Sequence, residues 1–377
     1  MINTINMKKN TLFIIGLALI SWSCKTGNKE TNRSFSADEV YVDVYYTSLF
    51  DREEEGFTGG DGTYSLELPD GSTAWIFGDT FLGGVNPDGS RIRQVPMYIR
   101  NSIVLQKADS LRTLYSSLDG LDASFVVHPK VVNKEDELTP DSVWFWPGDA
   151  YIENGDMHFF LSEFIQADTG MWGFQWEDTW LAVYELPGME QKDIIKLPQG
   201  AKSGVHYGHA VYPGNEYTYV YGTRGGKPHA ARYPAGNFRD KWEYFSGKEW
   251  TKDPENIHPM IDYSGSEQFS VFEYEGLYVM VNQAGDLSDE IYSFTSETPY
   301  GPWENRTMIY KTPIPDTTVN LFTYNALAHP HLIKNGELLV SYNMNSMVLA
   351  DHFKNADIYR PRFIRIPMGI IDSSFEK

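Results

Sequence analysis

The sequence is poor in cysteine, in basic residues and in long apolar runs. Cys24 is its one cysteine among 377 residues, so this thiol has no partner within the chain. Lys and Arg total 31 against 51 Asp and Glu, which gives a formal net charge of -20. Because an acidic surface repels phosphate backbones, we expect no nucleic acid partner.

An apolar run near the start, from Thr11 to Ile20, follows Lys8 and Lys9. Roughly ten apolar residues are too few for a permanent membrane span, and this order of charge and apolar core is typical of a secretory signal. Cys24 comes just after it and resembles the lipidation cysteine of bacterial lipoproteins. The sequence predicts a signal peptide over 1–23, then a lipidated Cys24 and polar tether over 24–38. The protein would be exported and lipid-anchored to the bacterial envelope; an incidental thiol after a cleaved signal is the alternative.

Helical periodicity is also lacking after the signal. Apolar and polar residues alternate instead, as in 41–45 and 219–221. A two-residue period is typical of strands. We therefore expect residues 39–377 to form one nearly all-β domain.

A motif recurs five times in this domain: a β-type run, a Gly-containing turn and a second β-type run, with polar or ionisable outer ends. The copies begin at Asp61, Asp149, His209, Glu267 and His331. Repeats of short strands with turns between them are typical of a β-propeller. The sequence thus predicts a five-bladed β-propeller in which each copy supplies the inner hairpin of a blade.

The outer strands of the blades are expected after each hairpin, at 98–105 and 124–127 in blade one. Blade five has only Arg362 to Pro367 there. The unassigned run Val40 to Tyr46 can supply its missing strand. An N-terminal strand in the last blade would close the ring and cover two exposed sheet edges.

A hairpin returns the chain to the end from which it started, so the outer ends of the five hairpins should meet at one mouth. The residues predicted there are Asp61, Asp79, Asp149, Glu163, His209, Arg224, Glu267 and His331. Neighbouring polar residues add Arg100, Asn101, His206, Tyr324, Asn325 and His329 as candidates. This ring is the predicted active site.

Glycoside cleavage uses two carboxyl groups, one protonated and one ionised. Clustered carboxylates raise one another's pKa values, which keeps an acid protonated at neutral pH. We predict catalytic roles among Asp61, Asp79, Asp149, Glu163 and Glu267, and substrate-binding roles for the other candidates. Capping of blade turns is the alternative for such acids. An aromatic fraction of 15% is also suited to stacking on sugar rings.

The histidines permit a metal interpretation, because His209, His329 and His331 could converge on an ion. Two His separated by one residue share a strand face without supplying tetrahedral geometry, so hydrogen bonds to sugar hydroxyls, or lining of the channel, are favoured. We predict no cofactor and no metal ligands, with a structural cation in the central channel as the alternative. Arg100 and Arg224 could clamp an acidic sugar, but pairing with the carboxylates is favoured because unpaired buried charge is costly.

Several segments resemble known families. Thr295 to Trp303 resembles the "Gly-Pro-Trp" segment in blade four of five-bladed glycoside hydrolases, such as family 43 arabinanases and xylosidases and the fructosidases. Thr58 to Gly71, Trp75 to Gly83 and Trp242 to Trp250 look closer to exported bacterial domains of unknown function. A related group of those domains is assigned to the family 183 endo-D-arabinanases. The likeness covers essentially the whole mature chain.

The resemblance implies acidic catalytic residues on the first strands of early blades. In the family 43 pattern a base Asp opens blade one and a second Asp opens blade two, which Asp61 and Asp149 match by position. Asp79 has no counterpart in the simplest version of that pattern. Blade three opens with His209 where a carboxylate is expected, which leaves Glu267 or Glu163 as the acid.

These features together predict a monomeric, lipid-anchored glycoside hydrolase acting on a polysaccharide or oligosaccharide, with a furanose-containing glycan such as arabinan favoured. A non-catalytic glycan-binding propeller at the cell surface is the alternative. A structural scaffold is disfavoured because ionisable residues concentrate at one end.

Overall fold

The computed structural model describes residues 39–54, 56–170, 172–197, 201–239, 242–314 and 320–376. All of them belong to one compact unit, Arg33–Lys377. The predicted signal peptide and the whole of the predicted segment 24–38, which includes Cys24, lie outside the described residues. Within the described ranges, no helix is both long enough and apolar enough to cross a membrane.

Five antiparallel sheets follow one another along the chain, and each begins with one of the predicted hairpins. Blade one has the strands Tyr64–Glu67, Thr73–Phe77, Ser102–Lys107 and Ser110–Leu114. Blade two has Val143–Glu153, Asp156–Gln166, Phe174–Glu185 and Glu190–Lys196. Blade three has His206–Pro213, Tyr217–Arg224, Lys227–Pro234, Glu243–Phe245 and Trp250–Thr251. Blade four has Phe269–Tyr274, Leu277–Gln283, Glu290–Ser296 and Glu304–Lys311. Blade five has Leu321–Lys334, Glu337–Ser346, Pro361–Pro367 and Tyr41–Val42.

Short elements join these sheets. Among the described residues, two small two-stranded sheets pair Phe57–Gly60 with Thr80–Leu82 and Ser116–Leu118 with Leu121–Ala123. The α-helices are Val44–Leu49, Pro129–Val132, Leu349–Lys354 and Met368–Ile371. The 3-10 helices are Glu135–Glu137, Ala356–Tyr359 and Ser373–Phe375.

The first strands of the five blades surround a common axis. Each contacts the first strand of the next blade, and the contacts continue from blade five back to blade one. Large apolar clusters fill the spaces between adjacent blades; one example is Ile76 and Ile103 of blade one against Phe159 and Leu161 of blade two. The predicted five-bladed propeller is confirmed.

The N-terminal strand closes blade five, but it is shorter than the predicted Val40 to Tyr46. Tyr41 pairs with Arg365 and Val42 with Ile364. The Asp43 side chain then accepts a hydrogen bond from the backbone N–H of Tyr46 and caps the helix Val44–Leu49, which ends the strand. Asp43 also forms a 2.8 Å ion pair with Arg365, so it secures both the helix and the closure.

The fourth strand of blade one is Ser110–Leu114, and not the predicted 124–127. The Asn101 side chain explains why the later segment is not free to join the sheet edge. Its amide binds both the N–H and the carbonyl of Val126 and also donates to the carbonyl of Phe145 in blade two. The segment is thereby held between blades one and two.

Candidate functional site

A cavity of about 900 Å³ is lined by residues from all five blades. Eight of the predicted site residues line it: Asp61, Asp79, Arg100, His206, His209, Glu267, Tyr324 and Asn325. Most lie at or next to the outer ends of the hairpins. The structure therefore brings together the carboxylates of blades one and four and the imidazoles of blade three.

The Asp61 carboxylate is held by two tyrosines. Its Oδ2 accepts hydrogen bonds of 2.6 Å from Tyr324 and from Tyr359. Gly78 permits this position, because a Cβ atom there would lie 2.6 Å from Asp61 Oδ1. Burial and the neighbouring Asp79 carboxylate raise the pKa of Asp61 to about 7, against the effect of the two hydroxyls. Near neutral pH this carboxyl group is therefore partly protonated and can donate a proton.

Asp79 lies beside Asp61 but has charged and neutral donors around it. Trp146 Nε1 donates to Asp79 Oδ1 over 2.7 Å, and Arg100 lies 3.4 Å from Oδ2. Burial raises the pKa of Asp79, although Arg100 and Trp146 act in the opposite direction. The Arg100 guanidinium is also 4.1 Å from the ring centroid of Trp144. Arg100 therefore pairs with a cavity carboxylate, as the sequence favoured.

Glu267 contrasts with the blade one pair. Its carboxylate lies 3.7 Å from His206 Nδ1, and its side chain is 53% exposed. Burial opposes ionisation, but His206 and His209 outweigh it and lower the pKa of Glu267 to about 2. The Glu267 backbone N–H donates to Asp286, a further cavity carboxylate whose pKa is raised by burial. The cavity thus contains carboxyl groups with raised pKa values and one with a lowered pKa.

A β-bulge brings the two blade three histidines together. In a regular strand, residues three apart point to opposite faces. Between Tyr207 and Ala210 the pairing register skips two residues, Gly208 and His209; Gly208 has a φ of 104°, and this irregularity re-aims the strand. The rings of His206 and His209 lie 4.1 Å apart as a result. Burial and His206 lower the pKa of His209 to about 3, so its imidazole is neutral.

Asp149 and Glu163 of blade two do not line the cavity. Asp149 lies at a bulge in its strand and accepts hydrogen bonds from the N–H groups of Ala150 and Val211. The bond from Val211 links blades two and three. Burial raises the pKa of Asp149 to about 7.

Glu163 points away from the cavity because its neighbour Ser162 points into it, and successive side chains of a strand alternate. It accepts hydrogen bonds from Trp180 and Lys196 and lies 3.3 Å from His128. Burial opposes ionisation, but these partners lower the pKa of Glu163 to about 2. The residue is an ionised, internally paired carboxylate.

Four predicted binding residues also lie away from the cavity. His329 contacts Ser65 over 2.7 Å, and it and His331 lie several residues along the 14-residue strand Leu321–Lys334. Tyr324 and Asn325 occupy the cavity end of that strand instead. Arg224 donates to the carbonyl of Ser203, and Asn101 links blades one and two as described.

The most extensive feature that residue-by-residue prediction missed is an aromatic wall from blade two. We define it as Trp144, Trp146, Phe164, Trp172, Phe174 and Trp176, all of which line the cavity. Trp146 packs on Phe164 at 4.5 Å and on Phe174 at 4.9 Å between ring centroids, whereas Trp172 is 55% exposed. The run of aromatics at 172–176 was the available sequence signal. Tyr359, from a 3-10 helix, gave no such signal.

The fold and the cavity define a five-bladed β-propeller with an acidic, aromatic-lined cavity. The chain belongs to the family described as Domain of unknown function (DUF5005), whose model matches residues 43–369. The predicted relation to domains of unknown function is thereby confirmed, whereas the relation to family 183 stays a prediction.

Solved structures of similar fold include a protein from Bacteroides ovatus ATCC 8483, described provisionally as a hydrolase. It is 26% identical, with a TM-score of 0.73 over 87% of this chain and 90% of that chain. A GH43 β-xylosidase/α-arabinofuranosidase from a compost metagenome, solved with xylotriose, is 11% identical at a TM-score of 0.46 over 84% and 92%. The GH43_1 enzyme from Xanthomonas citri, complexed with xylotriose, is 14% identical at 0.46 over 85% and 92%. Among curated proteins, none matches this sequence.

Proposed function

We propose that this protein is a glycoside hydrolase that cleaves a glycan chain bound in the cavity. The observation that carries the proposal is the opposition of two kinds of carboxyl group in one cavity. Asp61, beside Asp79, has a raised pKa, and Glu267 has a lowered one. This is the division of labour that glycoside cleavage requires.

In the proposed mechanism, the pair Asp61 and Asp79 holds the proton that assists departure of the leaving sugar. A carboxyl group with a pKa of about 7 is about half protonated near neutral pH, which suits a general acid. Glu267 is ionised and serves as the base that activates water or as the nucleophile. This assignment differs from the sequence resemblance, which suggested Glu267 or Glu163 as the acid.

The aromatic wall supports a sugar as the substrate. Aromatic faces stack on the apolar faces of sugar rings, and the exposed Trp172 would meet the chain first. The description of the Bacteroides ovatus protein as a hydrolase agrees with this reaction class. Within that class, we propose a furanose-containing glycan such as arabinan, on the sequence resemblance.

The proposed setting is the bacterial envelope, with a lipid on Cys24 as the membrane anchor and a monomeric propeller facing the glycan. Changing Cys24→Ser removes the proposed lipid attachment, so the protein should move from the membrane fraction to the soluble fraction without a change in melting temperature. Fractionation with immunoblotting measures this. Retention of the variant on membranes would contradict lipidation.

The reaction is tested by incubating the protein with arabinans, fructans and algal polysaccharides and measuring new reducing ends. The Glu267→Gln variant should release none while still binding the cleaved glycan. Asp70→Asn is the matched control, because Asp70 lies at the turn end of the blade one hairpin, on the exposed surface. If glycans bind to the wild type but none is cleaved, the protein is the alternative glycan-binding propeller.

A further inference from the structure

We propose that His206, His209 and Glu267 bind one divalent first-row transition metal ion, and that zinc fits these donors best. The site goes beyond the proposed function, since its occupancy does not depend on cleavage of a glycan. With zinc bound, Glu267 would be a ligand, and the ion would activate the attacking water in place of the free carboxylate. Two imidazoles and one carboxylate are the donor set of many zinc sites that leave a fourth position open. All three residues line the cavity, so the open position would face the substrate.

The donor atoms are already close together. One ligand atom from each residue lies within 4.8 Å of the other two. Donors around a tetrahedral zinc ion with bonds of about 2.0 to 2.2 Å are roughly 3.3 Å apart. His206 Nδ1 and Glu267 Oε2 are 3.7 Å apart, which is longer than a hydrogen bond and near the spacing that an ion imposes. The Glu267 side chain is 53% exposed, and a change of its rotamer would close the remaining gap.

His209 supplies an independent sign of a missing ligand. Its side chain is buried, with 3% of the residue exposed, and neither ring nitrogen has a hydrogen-bond partner among the described residues. Buried polar atoms are nearly always paired, so two unpaired nitrogens on one imidazole are unusual. The ring lies beside His206 at the cavity surface, where a ligand could reach it.

The surroundings of His206 match those of a metal-binding histidine. Its Nε2 lies 2.6 Å from Ser162 Oγ, which leaves Nδ1 directed to Glu267. Metal-bound histidines usually engage the other ring nitrogen in this way, and the partner fixes tautomer and orientation. Trp176 stacks on the same ring at 4.6 Å and restricts its rotation.

The remaining interpretation is that His209 binds a sugar hydroxyl directly, without an ion. That interpretation requires only the imidazole, whereas the metal site requires all three donors. His329 and His331, which the sequence had suggested for a cation, are not part of this cluster. The two interpretations therefore predict different results for zinc in the absence of glycan.

The experiment is calorimetric titration of metal-free protein with zinc alone. The wild type should bind one zinc ion per chain, and zinc should raise its melting temperature by mass action. Loss of an outer-shell partner costs about 10- to 100-fold in metal affinity. Ser162→Ala should fall in that range, and His209→Ala and Glu267→Gln should each lose more than about 100-fold.

The matched control is His352→Ala, because His352 is another buried histidine that lines the cavity but lies outside the cluster. It should bind zinc as the wild type does. The melting temperature of each metal-free variant verifies that it is folded. No zinc binding by the wild type, equal affinity in folded His209→Ala, or a preference for calcium over zinc would overturn the proposal.

The titration is separable from the test of the proposed function. Asp61→Asn should lose cleavage but keep zinc affinity. Cleavage by a wild type that binds no zinc would reject the metal site and leave the hydrolase standing. Zinc binding by a wild type that cleaves no glycan would support the metal site and reject the hydrolase proposal.

Discussion

Asp61 in the cavity and Glu163 inside blade two are both shielded carboxyl groups, yet their pKa values differ in direction. The pKa of Asp61 is raised to about 7, whereas the pKa of Glu163 is lowered to about 2. The side-chain donors to Asp61 are neutral tyrosine hydroxyls, and Asp61 lies beside a second carboxylate. Glu163 receives a lysine, lies against a histidine and is 5% exposed. The charge of the partners therefore distinguishes a carboxyl group that can exchange a proton from one that stabilises a sheet.

The comparison predicts its largest effect for Asp61→Asn. The amide keeps the shape and can still accept from the tyrosines, but it has no acidic proton. We expect kcat to fall on the order of 100- to 10,000-fold on a glycan that the wild type cleaves. Initial rates at saturating substrate measure this. Activity near that of the wild type would remove Asp61 from the proposed mechanism.

Glu163→Gln should act on stability. The change removes the negative charge opposite Lys196, which also pairs with Asp178 at 3.0 Å and is therefore not left alone. We expect the free energy of unfolding to fall by about 1 to 3 kcal/mol, while kcat of the folded protein stays close to that of the wild type. Urea unfolding at pH 7 tests the first part. A large loss of kcat with unchanged stability would mean that Glu163 acts in catalysis and not in stabilising the sheet.

The two carboxyl groups should respond to pH with opposite signs. The pKa of Asp61 is raised from 3.8 to about 7, so its contribution to stability is present below about pH 4 and is lost as pH rises through 7. The pKa of Glu163 is lowered from 4.5 to about 2, so its contribution is present above about pH 5 and is lost as pH falls toward 2. Asp61→Asn should therefore gain stability relative to the wild type between pH 4 and 8. A difference in melting temperature between the variant and the wild type that stays constant from pH 4 to 8 would contradict the raised pKa.

Tyr324→Phe should give the smallest change. It removes one of two hydroxyl donors to Asp61, and hydrogen bonds to the ionised form lower a carboxyl pKa. The pKa of Asp61 should rise further, and the alkaline limb of the pH profile of kcat/KM should move up by about one unit or less. An unchanged or lowered limb would mean that Asp61 is not the group that titrates there.

Sequence reasoning predicted the five hairpins, the closing strand and the end of the ring at which the cavity lies. A hairpin fixes which end a residue occupies, and Asp61, Asp79 and Glu267 follow that rule. It does not fix the face of the strand, which alternates with every residue. Glu163 occupies the expected end but points away from the cavity for this reason.

Bulges and strand lengths explain the remaining differences. The bulge at Gly208 turns His206 and His209 to one side, and a glycine inside the strand pattern is its one local sign. The first strand of blade five is longer than the repeat suggested, so His331 lies away from the cavity and Tyr324 takes its place. The aromatic wall arises because the strands of blade two are also long. Such features depend on packing between blades, which the repeat pattern does not encode.

The closure by Tyr41–Val42 constrains how the domain can assemble during synthesis. Asp43 and Arg365, the ion pair beside that strand, are separated by 322 residues in the chain. The strand Tyr41–Val42 must therefore wait for a partner strand that is made much later, and contacts so distant in sequence form slowly. A nascent chain that lacks its last blade leaves the edges of two sheets unpaired and able to associate with other chains. Until the strand Pro361–Pro367 has been synthesised, the blades form an open arc with unpaired sheet edges, and pairing with Tyr41–Val42 then closes the ring.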